Sequence, residues 1–128
     1  MNINHIAVWA NDLESLKEFY CRWFNAKAGE RYHNPRKNFT SYFLTFPGGG
    51  ASLEIMNVPE ITAPDVRAKT AGFCHIAVSL GSKGKVDEMT EQMRSAGITI
   101  LDEPRTTGDG CYESIVADPE GNTVELTV

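Results

Sequence analysis

Cysteine is scarce in this chain of 128 residues: Cys21, Cys74 and Cys111 are odd in number, widely spaced and form no C-x-x-C pair. That excludes a disulfide framework and a cysteine-rich zinc site. The thiols are read as reduced, in a cytoplasmic protein. Cys74 adjoins His75, but neighbours along a strand point to opposite faces, so it is expected to pack rather than bind metal. Long apolar runs are also missing. None approaches the ~20 residues a bilayer crossing requires, so no membrane association is expected. The first residues, with Asn2 and Asn4, lack the basic-then-apolar layout of a signal peptide. Positive charge is in deficit: 12 Lys and Arg against 17 Asp and Glu leave a net charge of -5. A nucleic-acid surface needs a clustered basic patch, so no nucleic-acid partner is expected. What remains is an ordinary composition for a globular protein, 41% apolar and 23% charged.

The most informative feature present is a repeat. The tetrapeptide His-Ile-Ala-Val occurs at His5–Val8 and again at His75–Val78. Beyond it, Tyr42 and Tyr112 each fall 37 positions after their histidine, and Glu54 and Glu125 fall 49 and 50 positions after it. Each copy begins with a strand. In the first copy Asn11 or Asp12 is placed to cap a helix, and Leu13, Leu16, Phe19, Tyr20, Trp23 and Phe24 recur at helical spacing. In the second copy Val86, Met89, Met93 and Ala96 make the stripe, and Gly97 marks the helix stop. Strands are expected at residues 27–32 and 98–101, followed in each copy by two strands around a tight turn. The fold class is therefore α+β, with two tandem β-α-β-β-β modules. A single domain 1–128 is expected to consist of module 1–58, linker 59–71 and module 72–128.

Strand alternation places the polar residues. His5 shares a face with Ala7, and His75 with Ala77 and Ser79; Ile6 and Val8 turn the other way. Glu54, between Leu53 and Ile55, shares its face with Ser52 and Met56. Glu125, between Val124 and Leu126, shares its face with Thr123 and Thr127. Two imidazoles and two carboxylates lining one cavity make a divalent-metal site. A lone strand histidine is more often structural; two of them with two glutamates at matched spacing are harder to explain that way. Such a site can polarise a carbonyl, with a carboxylate beside it to take a proton. His33, in a polar stretch, and the glycine-rich segment Thr106–Ser114, read as a mobile loop at a cavity mouth, carry weaker signals.

These features resemble the vicinal oxygen chelate superfamily of glyoxalase I, fosfomycin-resistance enzymes, extradiol dioxygenases, methylmalonyl-CoA epimerase and bleomycin-binding proteins. The resemblance covers essentially the whole chain and includes the closing hairpin DPEGNTVEL, Asp118–Leu126. The order His5, Glu54, His75, Glu125 is similar to that of bacterial-type glyoxalase I. The resemblance implies a curved mixed-sheet cavity, one divalent ion (nickel, zinc, cobalt or manganese) held by those four residues, and a homodimer with the cavity at its interface. It also implies proton shuttling by Glu125 or Glu54 between adjacent carbons of a small α-oxo substrate or its thiol hemithioacetal, through an enediolate, as in a lactoylglutathione lyase. An epimerase acting beside a thioester, and a binding or resistance protein using the cavity with or without metal, are the alternatives; a dioxygenase is less consistent with a fourth protein ligand.

Two positions depart from the glutathione-using pattern. Trp9 stands where an arginine commonly follows the first histidine, and Val58 where an asparagine follows the first glutamate, with Asn57 one step short. An indole cannot fork onto a carboxylate as a guanidinium does. Arg22, Arg36, Lys37 and Arg105 are other cations available to an anionic substrate, although surface solvation is their ordinary role.

Overall fold

The computed structural model describes residues 1–62 and 71–128. The expected linker, residues 59–71, falls mostly on residues 63–70, outside the described residues. The chain divides into two compact units, Met1–Arg67 and Ala68–Val128.

In the first unit, β1 (His5–Trp9) alternates between exposed and half-buried residues. Helix α1 (Leu13–Phe24) follows. Of the two possible caps, Asp12 is the one that acts: its side chain accepts the Ser15 N–H at 3.0 Å. Glu14 in the first turn and Arg22 in the last complement the helix dipole, and Asn25, at φ 53°, ends the helix in a left-handed conformation. Leu13, Leu16, Phe19, Tyr20 and Phe24 are buried as their spacing requires. Each such side chain contributes about 1.5–3 kcal/mol by leaving water. Trp23 stays half-buried, with the Arg22 guanidinium 5.0 Å from its ring centre.

The single strand expected at 27–32 is split into β2 (Lys27–Ala28) and β3 (Tyr32–Asn34), both antiparallel to β4 (Phe39–Thr45). Ala28 pairs with Leu44 and Tyr32 with Ser41, so residues 29–31 face only two residues of β4. The extra residue interrupts the ladder as a bulge does. Strand β5 (Ser52–Asn57) is antiparallel to β4 and parallel to β1, giving the order β1-β5-β4-β2 with β3 also beside β4.

The second unit repeats the plan with β6 (Ile76–Ser79), α2 (Lys83–Ser95), β7 (Ile100–Thr106), β8 (Tyr112–Ala117) and β9 (Thr123–Thr127), in sheet order β6-β9-β8-β7. Gly97 does stop α2, at φ 82°. The Ile98 N–H reaches the Met93 carbonyl at 2.9 Å and the Gly97 N–H the Arg94 carbonyl at 3.0 Å, a Schellman motif. Because Ile98 is committed to that stop, the strand expected at 98–101 begins at Ile100, and it runs on to Thr106. Register shifts fall between Ile100 and Asp102 and between Asp102 and Arg105; the second spans Pro104, which has no N–H to give a ladder. The buried stripe of α2 is Val86, Thr90 and Met93. Met89 is half-buried and Ala96 exposed, contrary to the apolar periodicity. Thr90 takes an inward place because its hydroxyl is satisfied there, donating to the Val86 carbonyl and meeting Ser114 Oγ, each at 2.6 Å.

The fold class is thus α+β, each unit being one helix on one face of its own mixed sheet. The helix-side faces hold the cores: Tyr42, Leu44, Leu53 and Ile55 in the first unit, Val116, Val124 and Leu126 in the second.

Candidate functional site: two matched histidine–glutamate pairs

In the first unit β1 and β5 run side by side with Ala7 opposite Glu54 and His5 opposite Ser52. Leu53 and Ile55 are buried toward α1, which turns Glu54 to the other, open face. There His5 Nε2 lies 3.8 Å from Glu54 Oε2. The second unit has the same ladder: Ala77 is opposite Glu125, with Val124 and Leu126 buried toward α2. His75 immediately precedes β6 rather than lying within it, and its Nε2 is 3.3 Å from Glu125 Oε2. Both glutamate side chains are largely covered, at 14% and 15% exposure, and both histidines are at 40%.

The parallel pairing continues past each pair in the same way. The Ala10 N–H donates to the Met56 carbonyl at 2.8 Å, and the Leu80 N–H to the Thr127 carbonyl at 2.7 Å. The final hairpin is pinned by Asp118, whose carboxylate accepts the Asn122 N–H at 2.7 Å and its side-chain amide at 2.9 Å. Gly121, at φ 73°, makes the turn that returns the chain to Glu125.

His5 Nδ1 lies 2.9 Å from the Asn4 side-chain oxygen, which can accept an Nδ1–H. With the proton on Nδ1, Nε2 and the Glu54 carboxylate, 3.8 Å apart, are both electron-pair donors with no hydrogen between them, an arrangement that suits a cation. Among the described residues no three or more His, Cys, Asp or Glu side chains are gathered as a metal group; each unit supplies two donors.

The matched tyrosines are not equivalent. Tyr42 pairs with Ile55, the residue after Glu54, whereas the residue after Glu125 pairs with Ser114, two places beyond Tyr112. Both tyrosines point to the helix side, where Tyr42 donates to Glu14 at 2.8 Å and Tyr112 to Asp87 at 2.6 Å. They tie helix to sheet and take no place beside the glutamates. His33 is likewise apart: its Nδ1 meets Thr40 Oγ1 at 3.1 Å, on the face away from Glu54. Asn57 donates to the carbonyls of Ala10 at 2.7 Å and Asn11 at 3.4 Å, again on the helix side, and so does not replace the asparagine missing at Val58. The segment Thr106–Ser114 is chiefly a closed hairpin turn rather than an open loop. The Thr107 N–H donates to the Cys111 carbonyl at 2.8 Å and the Gly110 N–H to that of Thr107 at 2.9 Å.

One residue beside Glu125 escapes sequence reasoning. Glu113 is on the same face, two residues from Ile115, which pairs with Glu125. Burial holds the Glu113 carboxyl above the ordinary 4.5, the nearby Glu125 charge adds to this, and Arg105 opposes it. Arg105 Nη2 lies 3.5 Å from Glu113, and its Nη1 pairs with Asp102. Arg105 is therefore engaged by two carboxylates. Alternation counted outward from Ile115 was the signal that would have found Glu113.

A family model for the Glyoxalase/Bleomycin resistance protein/Dioxygenase superfamily matches residues 2–126. The chain belongs to this superfamily. The likeness extends to an uncharacterized protein of Bacillus subtilis, YqjT, 28% identical over 97% of this chain and 96% of that one. Among solved structures, the glyoxalase family protein of Enterococcus faecalis superposes with a TM-score of 0.81 at 23% identity, covering 99% of this chain and 97% of that one. Glyoxalase I of Zea mays gives 0.80 at 24% identity over 98% of this chain, which spans only 44% of the maize chain. Lactoylglutathione lyase of Agrobacterium tumefaciens gives 0.68 at 22% identity, covering 98% of this chain and 91% of that one. At these identities the structures establish the superfamily fold. No helix among the described residues is long and apolar enough to cross a membrane.

Proposed function

We propose that the protein is a metal-dependent lyase or isomerase of glyoxalase I type, acting on an α-oxo substrate or its thiol hemithioacetal. The observation that carries this reading is the pair of His Nε2–Glu Oε2 approaches, on matching ladder positions of the two units. His5, Glu54, His75 and Glu125 would hold one divalent ion, and this nitrogen and oxygen donor set suits nickel, cobalt, zinc or manganese alike. When bound, the ion would polarise the two oxygens of the substrate. Functional assembly as a homodimer, and a single domain built of modules 1–58 and 72–128 joined by 59–71, belong to the same proposal.

The chain's own chemistry is proton transfer. Glu125 takes the C–H proton from the carbon bearing the sulfur and hydroxyl, leaving an enediolate. It returns the proton to the neighbouring former carbonyl carbon, and the hydroxyl proton passes from one oxygen to the other. No atom is gained or lost. Glu54 is the corresponding carboxylate of the first unit and the alternative carrier. Val124 and Leu126, both fully buried, fix the strand that aims Glu125, so the carboxylate is presented without a large rearrangement.

The test is turnover of methylglyoxal hemithioacetals by purified protein, with metal content measured by elemental analysis. Metal-dependent activity that falls at least a hundredfold in Glu125→Gln supports the reading. A metal-loaded protein inactive on every thiol adduct refutes the substrate assignment. The second reading, a small-molecule binding protein of the same superfamily, is favoured by Trp9 in place of an anion-holding arginine; tight ligand binding by metal-stripped, inactive protein would establish it instead.

A further inference from the structure

The open face of the first unit carries an aromatic group beside the His5–Glu54 pair. Trp9 follows His5 and Ala7 on the same face of β1 and lies opposite Met56. Met56 pairs in turn with Ser41, and Ser41 with Tyr32. This row of the sheet is one pleat, about 7 Å, from the row holding Ala7, Glu54 and Phe43. Phe39 packs edge-on against Trp9 at 6.5 Å and tilted against Tyr32 at 6.1 Å, so the three rings form one group. Ser41, the small residue among them, is only 2% exposed, whereas Trp9 and Tyr32 remain 51% and 55% exposed. On this face the sheet's one lysine or arginine is Lys27 of β2, opposite Thr45 and two pleats from the Trp9 row; β1, β3, β4 and β5 present none.

We infer that Trp9, Phe39 and Tyr32 form a subsite for a neutral aromatic group of the substrate, carried two or three bonds from the reacting carbons. The inference rests on reading the His5–Glu54 face as part of the substrate site. Trp9 and Tyr32 are exposed, with Phe39 half-buried between them; the rings are preorganised by their mutual contacts and offset from the glutamate by about the reach of a benzylthio arm. A multiply charged peptide thiol finds no counter-charge on these strands. The adjoining Met56 is a flexible, polarisable side chain that adapts to the outline of a ring.

The first experiment needs no turnover. Benzylthioacetone, a neutral thioether ketone, is titrated into ¹⁵N-labelled protein and the two indole N–H signals are followed, Trp9→Phe identifying that of Trp9. The expected result is a saturable shift at Trp9 and none at Trp23, with ethylthioacetone at least fivefold weaker. No shift at Trp9, or equal binding of both probes, overturns the subsite. A Trp9 signal that moves with protein concentration and not with probe also overturns it, showing a surface between copies.

The second experiment compares kcat/KM for methylglyoxal adducts of benzyl mercaptan and ethanethiol. The benzyl adduct should lead by at least fivefold, the ratio approaching one in Trp9→Ala and recovering in Trp9→Phe. Equal ratios in wild type and Trp9→Ala refute the subsite and leave the glyoxalase reading intact. Binding at Trp9 without turnover of either adduct refutes that reading and leaves the subsite intact.

Discussion

Thr90→Val tests how the second sheet is held behind Glu125. Thr90 and Ser114 are essentially fully buried, and their hydroxyls lie 2.6 Å apart between α2 and β8. The Thr90 proton goes to the Val86 carbonyl, so the shared bond must be donated by Ser114. Valine preserves shape but leaves the Ser114 O–H buried without an acceptor, a cost of about 1–3 kcal/mol. The Val86 carbonyl keeps its ordinary helical partner and adds little. Ser114→Ala removes a donor while the Thr90 proton stays satisfied, so it should cost less, about 1 kcal/mol. The double variant should therefore be more stable than the sum of the two predicts, by roughly 1 kcal/mol. Urea unfolding followed by circular dichroism, with unchanged m-values, gives these numbers directly. Additive effects, or Ser114→Ala costing more than Thr90→Val, would refute the assigned direction of the bond.

Three further outcomes follow from the same kind of reasoning. Gly97→Ala should destabilise the protein by about 1 kcal/mol or more in urea, because the helix stop requires φ 82°. Glu14 has its carboxyl held below 4.5, first by the Lys17 hydrogen bond and then by that of Tyr42. Its stabilisation is present above pH 4.5 and lost as pH falls through the lowered folded value. Glu14→Gln should flatten the acid limb of stability measured against pH, by under about 1 kcal/mol because the side chain is half exposed. Asn57→Ala should cost about 1–2 kcal/mol by freeing the Ala10 carbonyl. Asn57→Asp should be worse, since a carboxylate oxygen would then face two carbonyls.

Much of what depends on local periodicity or local hydrogen bonding was legible in the sequence, although Met89 and Ala96 do not sit in the buried stripe that their spacing suggested. Asp12, Gly97 and the Asp118–Asn122 turn each act through neighbours a few residues away. Alternation in the repeated His-Ile-Ala-Val was enough to separate the face of His5 from that of Ile6. What else failed depended on ladder register. Residues 29–31 bulge because β4 has one residue too few to match them, which nothing in Gly-Glu-Arg announces. Tyr42 and Tyr112 look equivalent at equal spacing but differ by two places once Glu54 and Glu125 are superposed. Thr90 was unreadable as core because its partner Ser114 is 24 residues away. The aromatic row of Trp9, Met56, Ser41 and Tyr32 exists only through three strand pairings.

The central claim is that the two His–Glu pairs form one metal set. Elemental analysis of purified wild type and of His5→Ala, Glu54→Ala, His75→Ala and Glu125→Ala tests it most directly, with circular dichroism confirming that each variant is folded. The account predicts about one divalent ion per chain in the wild type and a marked loss in every variant, from either unit. Full metal content in variants of one unit, or none in the wild type after growth with nickel, cobalt, zinc and manganese, would contradict it.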